Sequence, residues 1–269
     1  MIVAVDTGGT KTLVATFTKD GTLQASHTFP TPKDISLYLT TLTTAISQLH
    51  PGIPRAIAVA LPGIIEGTTA IWCKNLQWQN IAIAELLQPH YPQTPIFVEN
   101  DANLAGLAEA RMQKIDTPCT LYITVSTGIG TGFVHHTAIS RTLQQSEGGQ
   151  MLLPYQNKLQ QWEEFASGKA IFAHYQKFGN ELHDPAAWED IADRISRGLL
   201  ALIPLTQPRV IIFGGSMGAY FTRYQQPLEQ ILADTLPPHI IRPTLVQALH
   251  PTHAVAYGGY FYAIDQLAR

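Results

Sequence analysis

Two stretches of the chain repeat one pattern: a short apolar run, a Thr/Gly-rich break, and a second apolar run. The first runs from Ile2 to Val5, breaks at Asp6-Thr7-Gly8-Gly9-Thr10-Lys11-Thr12 and resumes at Leu13 to Phe17. The second runs from Thr120 to Val125, breaks at Ser126-Thr127-Gly128-Ile129-Gly130-Thr131-Gly132 and resumes at Phe133-Val134. Short apolar runs bounded by turn residues predict buried strands, so each stretch reads as a β-hairpin and the pair as an internal duplication.

Between and after the hairpins, the pattern alternates strands with helices. Ile35, Leu39, Leu42, Ala45 and Leu49 recur at near-helical spacing and predict a helix over 34–49, closed by Pro51-Gly52. Ala56 to Leu61 reads as a strand ending in Pro62-Gly63, Ile64 to Trp72 as a hairpin around Glu66-Gly67, and Ile83 to Leu87 as a short helix. The run Pro95-Ile96-Phe97-Val98-Glu99-Asn100-Asp101 is a strand that ends where a small-residue helical pattern begins, at Ala102, Ala105, Ala108 and Ala110. Later come a polar loop over 140–153, a helix over 159–178, a helix over 188–205, a strand over 210–213 and a glycine-rich break at Gly214-Gly215. A further helix to about Leu236, a strand over 245–249 and a helix over 254–267 complete the chain. Strands alternating with helices define an α/β fold of mixed sheets flanked by helices.

Composition narrows the function. The 269 residues include 45 % hydrophobic residues, and only 14 % are charged, well under the usual quarter. With a net charge of −3 and no basic stripe, nucleic acid is not an expected partner. No apolar run is long enough to span a bilayer, and the start lacks the basic region of a signal peptide. Cys73 and Cys119, the only cysteines, fit neither a metal spacing nor a disulfide framework. A cytoplasmic location without a membrane partner is the expectation.

The chemistry is expected at strand ends, where open α/β folds keep their ligand sites. Gly8 and Gly9 let backbone N–H groups approach an anion, with further donors from Thr10, Lys11 and Thr12. The spacing is not that of a Walker A loop, and a strand rather than a helix follows, so it is not a dinucleotide fingerprint either. Asp101 would stand at a helix N-terminus, which both suits a cap and stabilises a carboxylate. The adjacent His135 and His136 would point to opposite faces of a strand, which makes them a poor chelator.

Five motifs in order resemble the sugar kinases of the actin/Hsp70/hexokinase superfamily, and most closely their ROK branch (repressor, open reading frame, kinase). Asp6-Thr7-Gly8-Gly9-Thr10-Lys11 resembles the first phosphate motif, and Asn75-Leu76-Gln77-Trp78 the sugar loop. Asn100-Asp101-Ala102-Asn103, with Glu109 further on, resembles the catalytic motif. Ser126 to Gly132 resembles the second phosphate motif and Phe213-Gly214-Gly215-Ser216 the adenosine motif. The resemblance implies two actin-like (ribonuclease H-like) ATPase domains closing over a cleft. One would span residues 1–113 and regain the C-terminal helix 254–269; the other would span 114–253. It further implies that Asp6, Gly8, Gly9, Thr10, Lys11, Thr127, Gly128, Gly214 and Gly215 bind ATP, with Asp6 reaching magnesium through water. Gly63, Asn75, Asn100, Asp101, Glu147, Gln150 and Glu163 would bind the sugar, and Asp101 would be the base. A homodimer is a further implication.

One departure stands out. The family's sugar motif is Gly-Glu-x-Gly-His, its His also binding a structural zinc with three cysteines. Here Ser146-Glu147-Gly148-Gly149-Gln150 puts Gln150 at the His position, and no cysteine lies between Gln150 and Glu163. A site without thiolates would lack most of its zinc ligands, so no zinc is expected. The Gln150 amide can donate and accept, so it can serve sugar hydroxyls without metal, or it can mark a site that has drifted. The expected activity is ATP-dependent phosphorylation of a hexose or N-acetylhexosamine, at the 6-hydroxyl. The alternatives are a weak or inactive sugar- or nucleotide-binding paralogue and a polyphosphate-dependent glucokinase. A repressor of the same family would carry a helix-turn-helix ahead of the first motif, which here starts at residue 6.

Overall fold

The computed structural model describes residues 1–250 and 253–269. The chain divides into two compact units, Met1–Ala108 with His253–Arg269, and Glu109–Thr252. The expected boundaries at 113/114 and 253/254 lie within a few residues of these, and Pro251 and Thr252, inside the expected second domain, lie outside the described residues.

In the first unit, β1 (Ile2–Thr7), β2 (Lys11–Phe17) and β3 (Leu23–Pro30) form an antiparallel meander. After α1 (Ile35–Leu49), β4 (Ala56–Leu61) returns parallel to β1. A three-stranded antiparallel sheet follows, made of β5 (Ile64–Glu66), β6 (Thr69–Cys73) and β7 (Trp78–Ala82). The short helix α2 (Ile83–Leu87) then leads to β8 (Ile96–Asn100), parallel to β4, which runs straight into α3 (Asp101–Met112). The main sheet is ordered β3-β2-β1-β4-β8.

Period-two alternation gives this sheet two different faces. Val3, Val5, Val14, Ile57 and Val59 pack under α1 with Tyr38, Leu42 and Ile46. The opposite face carries small residues at Ala4, Ala15, Ala56 and Ala58, beside Ile2 and Phe17, and is covered by the C-terminal helix Ala254–Leu267. The small residues are needed because that helix comes close. A Cβ on Gly259 would stand 3.1 Å from the Ala4 Cβ, and one on Gly258 only 1.9 Å from the Leu104 carbonyl oxygen. Gly258-Gly259 is therefore a packing device within this unit.

In the second unit, β9 (Thr120–Val125), β10 (Ile129–His135) and β11 (Ala138–Ile139) form the antiparallel part of a sheet. The ribbon β12 (Leu152–Tyr155) and β13 (Lys158–Gln161) comes next, followed by helices α4 (Trp162–Ala166), α5 (Gly168–Tyr175) and α6 (Pro185–Thr206). β14 (Val210–Gly214) lies parallel to β9, and α7 (Gly215–Gly218) and α8 (Phe221–Thr235) lead to β15 (Thr244–Gln247), parallel to β14. The order β11-β10-β9-β14-β15 reproduces that of the first sheet. One core runs beneath it, from Leu121 and Ile123 through Trp162 and Trp188 to Tyr224.

Four expectations need correction. The stretch 159–178 is not one helix: its first three residues are the end of β13, and the helical part is broken at Ser167. There the Ser167 side chain accepts from Ala170 N and starts a second helix, while α4 begins with a capping box between Gln161 and Glu164. The polar stretch 140–153 ends in a strand, because Leu152 and Leu153 pair with Gln161 and Gln160. Trp78, expected only as part of a loop, starts β7. The helix after Gly214 is interrupted between Gly218 and Phe221. Among the described residues no helix is long and apolar enough to cross a membrane.

Candidate active site

In the first unit, the ends of β1 and β8 carry the acidic residues. Asn100 closes β8, and its Oδ1 accepts from Ala102 N at 2.8 Å and Asn103 N at 3.1 Å. Asn100 is thus the helix cap, a role worth roughly 1 kcal/mol. Its Nδ2 donates to the Gly63 carbonyl at 2.9 Å, which ties the end of β8 to the turn after β4. Gly63 has φ of 92°, and a Cβ there would stand 2.1 Å from the Trp72 carbonyl oxygen, so only glycine fits. Buried Glu99 supports the same turn from behind, accepting from Asn100 N at 2.8 Å and Asn103 Nδ2 at 3.0 Å.

With capping done by Asn100, Asp101 has one short backbone contact, from Ala102 N at 2.8 Å. Burial pushes its carboxyl up to about 6, and the backbone N–H groups at the start of α3 only partly offset this. Asp6, the penultimate residue of β1, is pushed further, to about 7, first by burial and then by the negative charge of Asp101, with Lys11 pulling it down. The charge of Asp101 thus adds to the effect of burial on Asp6.

The β1–β2 turn is closed by Gly8 N donating to the Lys11 carbonyl at 3.0 Å. Thr10 and Lys11 are exposed, and Gly9 touches the exposed Asn75: a Cβ on Gly9 would stand 3.0 Å from the Asn75 Cβ. Trp78 is not a ring offered to a ligand. It is buried, edge-on to Tyr38 with centroids 4.8 Å apart, and its Nε1 donates to the Lys33 carbonyl at 3.0 Å.

The second unit brings together three expected residues. Gln150 Nε2 donates to Glu163 Oε1 at 2.8 Å, and Glu163 Oε2 lies 3.4 Å from Ile129 N. A Cβ on Gly128 would stand 2.6 Å from Glu163 Oε2, so the bare glycine makes room for the carboxylate against the β9–β10 turn. Glu147 meets Gln150 through the backbone, its carbonyl accepting from Gln150 N at 3.0 Å. Thr127 is exposed at the tip of the turn.

Gly214 and Gly215 follow β14. A Cβ on Gly214 would meet the Tyr122 hydroxyl at 2.1 Å, and Gly215, with φ of 76°, packs against Thr124 and Val125. Among the described residues no group of three or more His, Cys, Asp and Glu side chains is placed to hold a metal ion. Glu109, counted with the catalytic motif, has another task. Its two oxygens accept from Leu249 N at 2.7 Å and His250 N at 2.8 Å, and Gln113 Nε2 donates to it at 2.9 Å.

Sequence reasoning missed Lys33, Thr31 and Tyr38. The Thr31 hydroxyl donates to the Gly8 carbonyl at 2.8 Å, Lys33 Nζ to the Gly9 carbonyl at 2.6 Å, and Tyr38 OH and Thr7 Oγ1 are 2.7 Å apart. These contacts span between 23 and 31 positions, and no local pattern announces them.

The architecture is that of an α/β protein of mixed sheets flanked by helices, with glycine-rich turns and carboxylates at the strand ends. The chain belongs to the ROK family, whose sequence profile matches residues 2–265. It is similar to a Bacillus subtilis (strain 168) protein named "Putative fructokinase", 26 % identical over 81 % of this chain and 77 % of that protein. It is also similar to the glucokinase of Streptomyces coelicolor, 23 % identical over 67 % of this chain, but spans only 60 % of that relative's length. Its fold matches the ROK family glucokinase of Streptomyces griseus, solved with glucose and AMPPNP. That match has a TM-score of 0.83 at 19 % identity and covers 98 % of this chain and 99 % of the other.

Proposed function

We propose that this ROK-family protein is an ATP-dependent sugar kinase that phosphorylates a hexose or N-acetylhexosamine, with Asp101 as the base. The observation that carries the reading is the state of Asp101: a half-buried carboxylate, relieved of capping by Asn100 and raised to about 6. A general base works best with a pKa near the operating pH, so the upward shift suits Asp101 to the role. In the proposed step the sugar hydroxyl oxygen forms a bond to the γ-phosphorus, the β–γ bridging bond breaks, and the hydroxyl proton passes to Asp101. The transition state is loose and gains most from alignment, so one carboxylate is enough for the proton.

The remaining roles belong to the same proposal. The β1–β2 turn, with Gly8, Gly9, Thr10 and Lys11, and the β9–β10 turn, with Thr127 and Gly128, take the phosphates. Gly214 and Gly215 take the adenosine, where a side chain would collide with Tyr122 and Thr124. Magnesium accompanies ATP and supplies charge neutralisation, with Asp6 as the carboxylate that would meet it through water. Asn75, Asn100, Gly63, Glu147, Gln150 and Glu163 serve the sugar. The finer description of the fold, two actin-like domains over 1–113 with 254–269 and over 114–253, is supported by the repeated strand order.

The test is ADP release measured by a coupled assay across hexoses and N-acetylhexosamines, with Asp101→Ala as control. Turnover on at least one sugar, abolished in the variant, is expected. No turnover on any sugar, or turnover indifferent to the substitution, overturns the reading.

A further inference from the structure

The segment between β3 and α1, Thr31-Pro32-Lys33-Asp34, makes side-chain contacts that the roles assigned above do not use. Lys33 Nζ donates to the Gly9 carbonyl at 2.6 Å and also to the Asn75 carbonyl. One ammonium thus joins the turn assigned to the phosphates to the loop assigned to the sugar. The backbone of Lys33 is itself held, because buried Trp78 donates from Nε1 to its carbonyl at 3.0 Å. Trp78 packs on Tyr38, and Tyr38 hydrogen-bonds Thr7, the last residue of β1. Two residues upstream, Thr31 takes the neighbouring Gly8 carbonyl at 2.8 Å, and Thr31 N donates to the Thr10 carbonyl at 3.0 Å. The contacts form a closed ring, from the end of β1 through Tyr38, Trp78 and Lys33 back to the β1–β2 turn.

We propose that Lys33 is a positioning residue that latches the phosphate turn to the sugar loop, so that occupation of one substrate site orders the other. Three physical arguments support the latch. Lys33 is exposed, so solvent weakens each bond, and the strength of the latch lies in one charged donor group serving two carbonyls at once. The ammonium also offsets the partial negative charge of the Gly9 and Asn75 carbonyls it engages. The loops already touch, with only 3.0 Å between the position of a Gly9 Cβ and the Asn75 Cβ, so a shift in one must move the other. Ordering by a first ligand lowers the cost of ordering for the second, which is positive coupling without a large conformational change.

The inference rests on the kinase reading, so the test separates the two. Hydrogen–deuterium exchange of peptides covering 7–12 and 74–79 is measured in ligand-free wild type, Lys33→Met and Lys33→Arg. Loss of a hydrogen bond to a charged group is expected to speed exchange in both peptides of Lys33→Met by about fivefold or more. Lys33→Arg should stay close to wild type. Acceleration in neither peptide, or in only one, overturns the latch whether or not the protein proves to be a kinase. With a turning-over sugar in hand, the KM of Lys33→Met should rise for both ATP and sugar, while kcat changes less. The sugar affinity gained on adding AMPPNP in wild type should disappear in Lys33→Met. A variant that loses only thermal stability and keeps both KM values and the coupling has lost a structural contact, and the latch is refuted.

Discussion

The sheet β3-β2-β1-β4-β8 and the sheet β11-β10-β9-β14-β15 share one topology, and their strand ends differ in charge. In each, the first hairpin makes six antiparallel pairs, and the first strand then pairs in parallel with the one following a helix. Asp6 faces Ala60 in the last parallel pair of the first sheet, and Thr124 faces Gly214 at the same place in the second. Asp101 follows the edge strand of the first sheet, whereas Ala248 follows that of the second. One copy thus gathers two carboxylates whose ionisation burial discourages, and the other carries a hydroxyl, glycines and an alanine. The backbone supplies the turn in both copies, and the carboxylates sit differently around it: at the strand ends themselves in the first, and reaching in from α4 in the second, where Glu163 Oε2 lies 3.4 Å from Ile129 N.

The strongest way to break this comparison is to neutralise the acidic copy. Asp101→Asn keeps the shape and removes the base; kcat should fall by roughly a hundredfold to ten-thousandfold with the melting temperature unchanged or slightly raised. A fall of less than tenfold would leave the two strand ends functionally alike. Next in size is Glu163→Gln, which removes the charge that Gln150 Nε2 meets at 2.8 Å. The KM for sugar should rise by about ten- to a hundredfold, the worth of a charged hydrogen bond, while kcat moves by a few fold. A KM for ATP that rises instead would assign Glu163 to the nucleotide.

A paired substitution compares the turns directly. In Gly128→Ala the new Cβ would stand 2.6 Å from Glu163 Oε2, and in Gly9→Ala 3.0 Å from the Asn75 Cβ. Steady-state kinetics should show sugar KM rising about tenfold in the first and only a few fold in the second. Equal effects would show that the two turns are equally tolerant. The smallest effect is thermal. Asp6 is raised from 3.8 to about 7, so the folded state holds a proton that the unfolded chain releases near pH 4. That contribution is full below pH 4 and is lost as pH rises towards 7. Asp6→Asn should therefore raise the melting temperature by a few degrees at pH 8 and hardly change it at pH 4.

The sequence reveals these strand ends unevenly. The hairpins were legible because apolar runs and glycine-rich breaks are local signals, and Asp101 because a strand meets a helix there. The identity of the cap was not legible: Asn100 and Asp101 are both good caps, and only the backbone geometry shows that Asn100 takes Ala102 N and Asn103 N. The helix read over 159–178 failed because its first three residues find strand partners outside it and Ser167 starts a second helix. The pairing of Lys158–Gln161 with Leu152–Tyr155 overrides it. Glu109 belongs to a motif by position and to the 249–250 backbone by contact, a pairing across 140 residues that no local pattern encodes. Lys33 was invisible for the same reason, since its partners lie 24 and 42 residues away.

The central claim is that Asp101 takes the proton, and its most direct test is the pH dependence of kcat/KM between pH 5 and 8.5 on the best sugar. The carboxyl is raised to about 6 by burial, so activity should fall tenfold per pH unit below that value and level off above it, with Asp6 spreading the transition towards 7. Asp101→Asn should show a low rate without that acid limb. A flat profile in the wild type, or the same acid limb surviving in Asp101→Asn, would contradict the assignment.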